Sequence, residues 1–296
     1  MNKQRLIITM FLICAGSSLF SCKGRAPNNT QVNNNETIVC LSPNITEIVF
    51  ALGLGEKVAA VSSDSDWPIE AKQKKTIGTF WQPDIETIIS CKPKLVITEN
   101  FAQQKAAADS LSRVGIKVIC LKIDTIDQML AAIKVIGTAT ERKEVAEKLT
   151  GKMREQINGL KERFGQQERP KVLWVVQSEP LRVAGRRTFI NEIIETVGGE
   201  NAIGESIQQY PQIDTEKVLL SGADVIIQSA MDKKNIEKEQ EIAQKHWSSI
   251  KNLPAVKDGR IYVVDSDLVL RLGPRLPAGI EMIGSLLHPQ RSEENR

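Results

Sequence analysis

The chain has 296 residues, 41% apolar and 25% charged, the profile of a soluble globular protein with room for two domains. Lys and Arg (39) nearly balance Asp and Glu (36), so the formal charge is only +3 and no Arg-rich block supports nucleic acid as a partner. His246 and His288 are its two histidines, too few for a dedicated zinc or manganese site, and no metal or cofactor is expected.

Residues 1–22 stand apart. Lys3 and Arg5 precede an apolar run from Leu6 to Ala15, too short to span a bilayer but fit for a signal peptide. The run ends in Leu19-Phe20-Ser21-Cys22, which resembles the lipobox of bacterial lipoproteins and so implies a lipid on Cys22. Residues 23–36, rich in Asn with Gly and Pro, read as a flexible tether, so the folded body is expected outside the cytoplasm, held at the cell envelope. Cys14 and Cys22 belong to this segment. Cys40, Cys91 and Cys120 remain, an odd number without metal spacing, and read as small buried side chains with any disulfide left open.

From Thr37 the pattern alternates. Thr37–Leu41 is a strand, and Ser42-Pro43 offers a hydroxyl cap and a first-turn proline to a helix over Pro43–Leu52 that Gly53 ends. A strand at Lys57–Val61 follows, then loops holding Asp64-Ser-Asp-Trp67-Pro68 and Thr79-Phe-Trp81-Gln-Pro83; Asp64 and Asp66 read as a solvated turn. A short helix at Asp84–Ser90, strands at Lys94–Thr98 and Lys117–Lys122, and helices at Phe101–Val114 and Ile126–Ile136 complete a first lobe over 37–137. Beyond 168 the order recurs to residue 290: strands at Lys171–Val176, Ala223–Gln228 and Arg260–Val264, helices at Thr188–Val197, Asp214–Ser221 and Pro277–Leu287, then a tail, 291–296. Such alternation predicts largely parallel sheets covered by helices, with Trp174 and Trp247 in the core.

A connecting segment, 138–167, separates the halves. Its Val145, Leu149, Met153, Ile157, Leu160 and Phe164 recur at steps of three and four, which predicts one helix over Thr140–Phe164, roughly 37 Å long at ~1.5 Å per residue. Asp84-Ile-Glu86 and Asp214-Thr-Glu216 open similar apolar stretches in the two halves, each with an aromatic, Trp81 or Tyr210, just upstream. Two such lobes form a cleft suited to a ligand. Enzyme chemistry lacks its signatures, since there is no Gly-x-Ser-x-Gly elbow, and no phosphate-binding Gly-x-x-x-x-Gly-Lys-Ser/Thr loop makes the chain an ATPase.

The segments Leu41-Ser-Pro-Asn-Ile-Thr-Glu-Ile-Val-Phe-Ala-Leu-Gly-Leu54, Asp84-Ile-Glu-Thr-Ile-Ile89, Val197-Gly-Gly-Glu-Asn201, Val256-Lys-Asp-Gly-Arg-Ile-Tyr262 and Arg271-Leu-Gly-Pro-Arg275 are similar to those of the substrate-binding proteins of bacterial ABC importers for vitamin B12, haem and iron–siderophores. The resemblance covers roughly Thr37 to Pro289 and is nearest to the vitamin B12 binders. It implies an α/β protein of two Rossmann-like lobes joined by one long rigid helix, with the ligand held between them.

The resemblance further implies that Glu86 and Glu216 dock on a permease dimer served by ATPase subunits, while the chain itself works as a monomer and touches the membrane only through its anchor. For a cobalamin ligand it points to Trp67, Trp81, Tyr210, Asp267 and Arg271. Where the family carries a further tryptophan this chain has Glu99-Asn100-Phe101, so Phe101 is taken as the replacement ring, and Leu181 stands in place of a phenylalanine. Haem would want Tyr210, Tyr262 or His246 as an axial ligand. A siderophore would want cations such as Arg182, Arg186, Arg187, Arg271 and Arg275. A capture module that serves no permease is the alternative of another class.

Overall fold

The computed structural model describes residues 37–230 and 234–289. In the first lobe β1 (Ile38–Cys40), β2 (Val58–Val61), β3 (Lys75–Thr76), β4 (Leu95–Glu99) and β5 (Val118–Leu121) alternate with α1 (Pro43–Ala51), α2 (Ile85–Ser90), α3 (Ala102–Arg113) and α4 (Ile126–Ala139). The strands are all parallel in the order β3-β2-β1-β4-β5. β1 is buried along its whole length because it is central and covered on both faces, which is why it reads as an unbroken apolar run. Strand order reverses between β1 and β4, and the loops beyond their C-terminal ends diverge there to open a crevice.

The second lobe holds β6 (Lys171–Ser178), β7 (Leu181–Val183), β8 (Glu200–Asn201), β9 (Val225–Ser229) and β10 (Ile261–Val264). Its order is β10-β9-β6-β7, with β8 parallel to the start of β6 and β7 antiparallel to its end. Helices α6 (Phe189–Thr196), α7 (Thr215–Ser221), α8 (Ile236–Trp247), α9 (Pro254–Lys257), α10 (Ser266–Val269) and α11 (Leu276–Leu287) surround it, after α5 (Lys143–Phe164), which joins the lobes.

The connecting helix departs from its sequence reading. It begins at Lys143, because Glu141 takes a left-handed backbone (φ 59°) and breaks the chain between α4 and α5. The two helices then pack so closely that a Cβ on Gly137 would collide with that of Ala146. This contact rotates the buried stripe at the N-terminal end of α5. Ala146 and Thr150 are buried there while Val145 is 40% exposed, and only from Met153 through Leu160 to Phe164 does the predicted stripe hold. Thr150 hides its hydroxyl on the Ala146 carbonyl, 2.8 Å away.

One apolar cluster runs through both lobes, from Ile45 and Ile48 of α1 through Ile133 of α4 and Met153 of α5 to Ile193 of α6 and Ile283 of α11. Hinge opening would have to expose part of it, and each apolar side chain so exposed costs about 1.5–3 kcal/mol. Trp174 and Trp247 are both core residues, and Trp174 Nε1 donates to Ser229 Oγ at 3.1 Å.

Ser42 does not cap α1. Its hydroxyl donates to Asn44 Oδ1 at 2.8 Å, and that same oxygen accepts the Ile45 N–H at 2.9 Å, so the asparagine takes over the capping role. Of the three cysteines only Cys40 is buried, with its thiol pushed up to about 12 by burial; Cys91 is half-buried and Cys120 exposed, because β5 is an edge strand. All three are free thiols. Among the described residues no helix is long and apolar enough to cross a membrane. Cys22, the signal segment and the tether lie outside the described residues.

Candidate functional site

Beyond the ends of β1 and β4, three aromatic rings stand together. Phe80 and Trp81 lie 4.4 Å apart between centroids, Trp81 and Phe101 5.3 Å, and Phe80 and Phe101 5.8 Å. Trp81 is 54% exposed, a large flat surface left uncovered at the end of the first lobe's sheet. The turn that presents it closes tightly: Gly78 (φ 84°) pairs with Pro83, a Cβ there would strike the Gln82 carbonyl, and the Gln82 N–H bonds back to Thr79.

Gln104 of α3 anchors this wall. Fully buried, it accepts through Oε1 from the Thr98 hydroxyl (2.5 Å) and the Glu99 N–H (2.8 Å), and donates through Nε2 to the carbonyls of Leu41 (2.9 Å) and Phe80 (3.0 Å). One amide thus ties the ends of β1 and β4 to the aromatic turn. Phe80 and Gln104 escaped the sequence reading; the Phe80-Trp81 adjacency in a loop was the available signal for the first.

Asp267 and Arg271 fall in an ionic cluster that spans the lobes. Arg271 reaches Asp66 (2.8 Å), Asp267 (2.8 Å) and Glu47 (3.3 Å), and donates to the Asp64 carbonyl at 3.3 Å. Arg275 grips Glu47 with two bonds, 2.6 and 2.9 Å, and the Glu47 side chain is only 2% exposed. Burial works against the Arg275 charge, but the Glu47 carboxylate holds the guanidinium above its ordinary value. Asp64 and Asp66 are therefore no solvated turn: Asp66 pairs with Arg271, and Asp64 accepts the Phe80 N–H at 2.7 Å. Trp67 joins this cluster and not the aromatic trio, with the Arg275 guanidinium 4.9 Å above its ring, beside a groove of about 360 Å³ shared with Phe50 and Pro68.

Tyr210 comes from a second-lobe loop held by Arg182, which donates to its carbonyl at 3.3 Å, and by the Gly185 N–H on the Gln209 carbonyl at 2.8 Å. Burial pushes the Tyr210 phenol up, and the charge of Asp124 from the first lobe pushes it further. Glu99, at the end of β4, is likewise raised by burial, against hydrogen bonds with Ser42 and Asn44 that lower it, and Asp124 raises it again. The opening therefore carries acidic groups beside its rings.

Glu86 and Glu216 are both exposed, each in the first turn of a short helix, α2 or α7. The two helices start alike. Asp84 accepts the Thr87 N–H at 3.1 Å and Asp214 the Lys217 N–H at 2.8 Å, so the aspartates do the capping and leave the glutamates unburied. Ile89 and Leu219, three residues on, are exposed in both lobes.

His246 lies exposed on α8, edge-to-face with Trp247, while Tyr262 sits within β10 and, like Tyr210, packs against the main apolar cluster. Among the described residues no group of three His, Cys, Asp or Glu side chains is placed to hold a metal ion. A cavity of about 930 Å³ lies at the junction of α5 with β6, lined by Arg163, Arg169 and His288 and by no residue of the aromatic trio or the ionic cluster.

A lipoprotein of Bacillus subtilis described as an uncharacterised ABC transporter substrate-binding protein, YvrC, is 30% identical over 265 residues, covering 87% of this chain and 81% of its own. A vitamin B12-binding protein of Vibrio campbellii is 26% identical over 237 residues, 80% of this chain and 83% of its own. Among solved structures, the haem-binding protein HutB of Vibrio cholerae superposes with a TM-score of 0.76 at 25% identity, covering 86% of this chain and 99% of its own. The vitamin B12-binding protein BtuF of the same organism shares the fold at a TM-score of 0.75 and 24% identity, over 85% of this chain and 96% of its own. Such proteins carry a ligand to a permease and its ATPase and perform no catalysis. The model of the periplasmic binding protein family matches residues 38–268, and the chain belongs to that family, as an ABC-importer substrate-binding protein of the vitamin B12, haem and siderophore type.

Proposed function

We propose that the chain captures cobalamin between its lobes and delivers it to a membrane permease from a lipid-anchored position outside the cytoplasm. The observation that carries this is the contrast between an uncovered aromatic wall and the cations Arg271 and Arg275, both already engaged by carboxylates. A corrin is broad, flat and rimmed with neutral amides, so it asks for ring surface and for ordinary donors and acceptors. Haem and ferric siderophores present carboxylates or anionic chelates and ask for cations. Here Arg271 and Arg275 are bound to carboxylates, Arg186 pairs with Glu200 at 3.5 Å, Arg182 serves the Tyr210 loop, and Glu99 adds acid. The vitamin B12-binding relatives support the same reading.

Haem is the second reading, favoured by the phenol of Tyr210 beside the cleft. Titration calorimetry against cyanocobalamin, haemin and a ferric siderophore separates the three; one-to-one heat with cobalamin is expected, and heat from haemin alone overturns the assignment. Docking through Glu86 and Glu216 rests on their matching exposed positions. The pair Glu86→Ala and Glu216→Ala is expected to abolish uptake in cells while leaving ligand affinity within about twofold, or ~0.4 kcal/mol. Undiminished uptake would point to a capture module without a permease. Labelling with a radioactive fatty acid, lost in Cys22→Ser, tests the anchor.

A further inference from the structure

Arg271 lies within a run of bonds that ends at the aromatic wall. Its guanidinium holds the Asp64 carbonyl and the Asp66 carboxylate; the Asp64 carboxylate holds the Phe80 N–H; the Phe80 carbonyl is held by Gln104; and Trp81 follows Phe80 directly. Asp267, from the same lobe as Arg271, bonds the guanidinium at 2.8 Å and fixes its direction. The arginine is only 15% exposed on its side chain.

From this geometry we propose that Arg271 is a positioning residue, which acts through Asp64 to set the Phe80–Trp81 turn of the first lobe relative to the second lobe. The ionic cluster determines where the rings stand before any ligand arrives. A guanidinium with its donors directed at Glu47, Asp66, Asp267 and the Asp64 carbonyl is poorly disposed to bond a ligand as well. The consequence for cobalamin affinity rests on the proposed function; the placement of the turn does not.

The test is amide hydrogen exchange at Phe80, together with acrylamide quenching of Trp81 taken as the difference from Trp81→Phe, both on the full chain without ligand. Asp64→Ala removes the acceptor and should speed exchange at Phe80 roughly tenfold, the loss of about one hydrogen bond. Asp64→Asn keeps an acceptor oxygen and should restore protection. Arg271→Met should also speed Phe80 exchange and raise Trp81 quenching, with no ligand present. Unchanged exchange and quenching in Arg271→Met, with cyanocobalamin binding lost, would overturn the proposal and make Arg271 a direct ligand contact. Should wild-type protein not bind cyanocobalamin, the functional reading fails while the ligand-free exchange still decides this one. A globally unfolded Arg271→Met leaves the decision to the Asp64→Ala and Asp64→Asn pair, where equal protection in both overturns the relay.

Discussion

The two regions that meet at the lobe boundary are built on opposite principles. The Phe80–Trp81–Phe101 wall is apolar and half uncovered, with ring surface that nothing in the fold uses. The Glu47–Arg275–Arg271–Asp66–Asp267 cluster is charged, largely enclosed and already satisfied by its own members. The aromatic wall is left open at a cost in exposed apolar area; the ionic cluster is closed at a cost in desolvation. A family reading of residue types alone draws on both regions for the ligand, whereas the geometry gives the one open rings and the other closed ion pairs.

Breaking the cluster should have the largest effect. Arg275→Ala leaves Glu47 enclosed with Arg271 alone at 3.3 Å, and removal of one partner from a buried ion pair costs about 3–5 kcal/mol; the low end is expected here because that second arginine remains. Urea unfolding measures it. The double change Glu47→Leu with Arg275→Met removes both charges and should recover most of the loss, since apolar pairs of similar volume often match buried ion pairs. If the double variant is as unstable as Arg275→Ala, the cluster contributes through something other than paired charge.

Trp81→Ala is the counterpart at the wall. It should leave stability within about 0.5 kcal/mol, as befits an exposed side chain, yet weaken cobalamin binding by roughly tenfold. The same substitution at Trp67 should do the reverse, because that ring packs under Arg275, outside the trio. Equal effects on affinity would erase the distinction between the two regions.

Much of the scaffold was legible because its signals are local. Val and Ile runs mark β1, β4, β6 and β9, and Asp84 and Asp214 each announce a helix start that the structure keeps. The break before α5 was hidden, since Glu141 bends into the left-handed region without a glycine or proline to signal it. β7 and β8 are three and two residues long, too short to show a period. The ionic cluster was least legible of all: Glu47 comes from α1, Asp64 and Asp66 from the loop after β2, and both arginines from the segment before α11, so only the fold brings the charges together. Asp64-Ser-Asp66 looks like any polar turn until Arg271 arrives from some two hundred residues away.

The smallest effect expected is one of pH, at the seam between the regions. Glu99 stands beside Phe101 with its carboxyl raised by burial, so the folded protein holds that proton more tightly than the unfolded chain. The stabilisation this brings is fully present below the unfolded value, about 4.3, and is lost as pH rises through the raised folded value. Stability should therefore fall with rising pH across the window just above the ordinary carboxylate range. Glu99→Gln keeps the neutral shape at every pH and should flatten that slope, leaving the variant more stable than wild type at neutral pH. Urea midpoints taken from pH 4 to pH 8 test it, and an unchanged slope in the variant assigns the dependence to another group. On the proposed function the ligand is rimmed with neutral amides and tolerates a neutral Gln at this position, so cobalamin binding by Glu99→Gln at neutral pH should equal or exceed that of wild type. A ligand that bonds the ionised carboxylate would instead be lost.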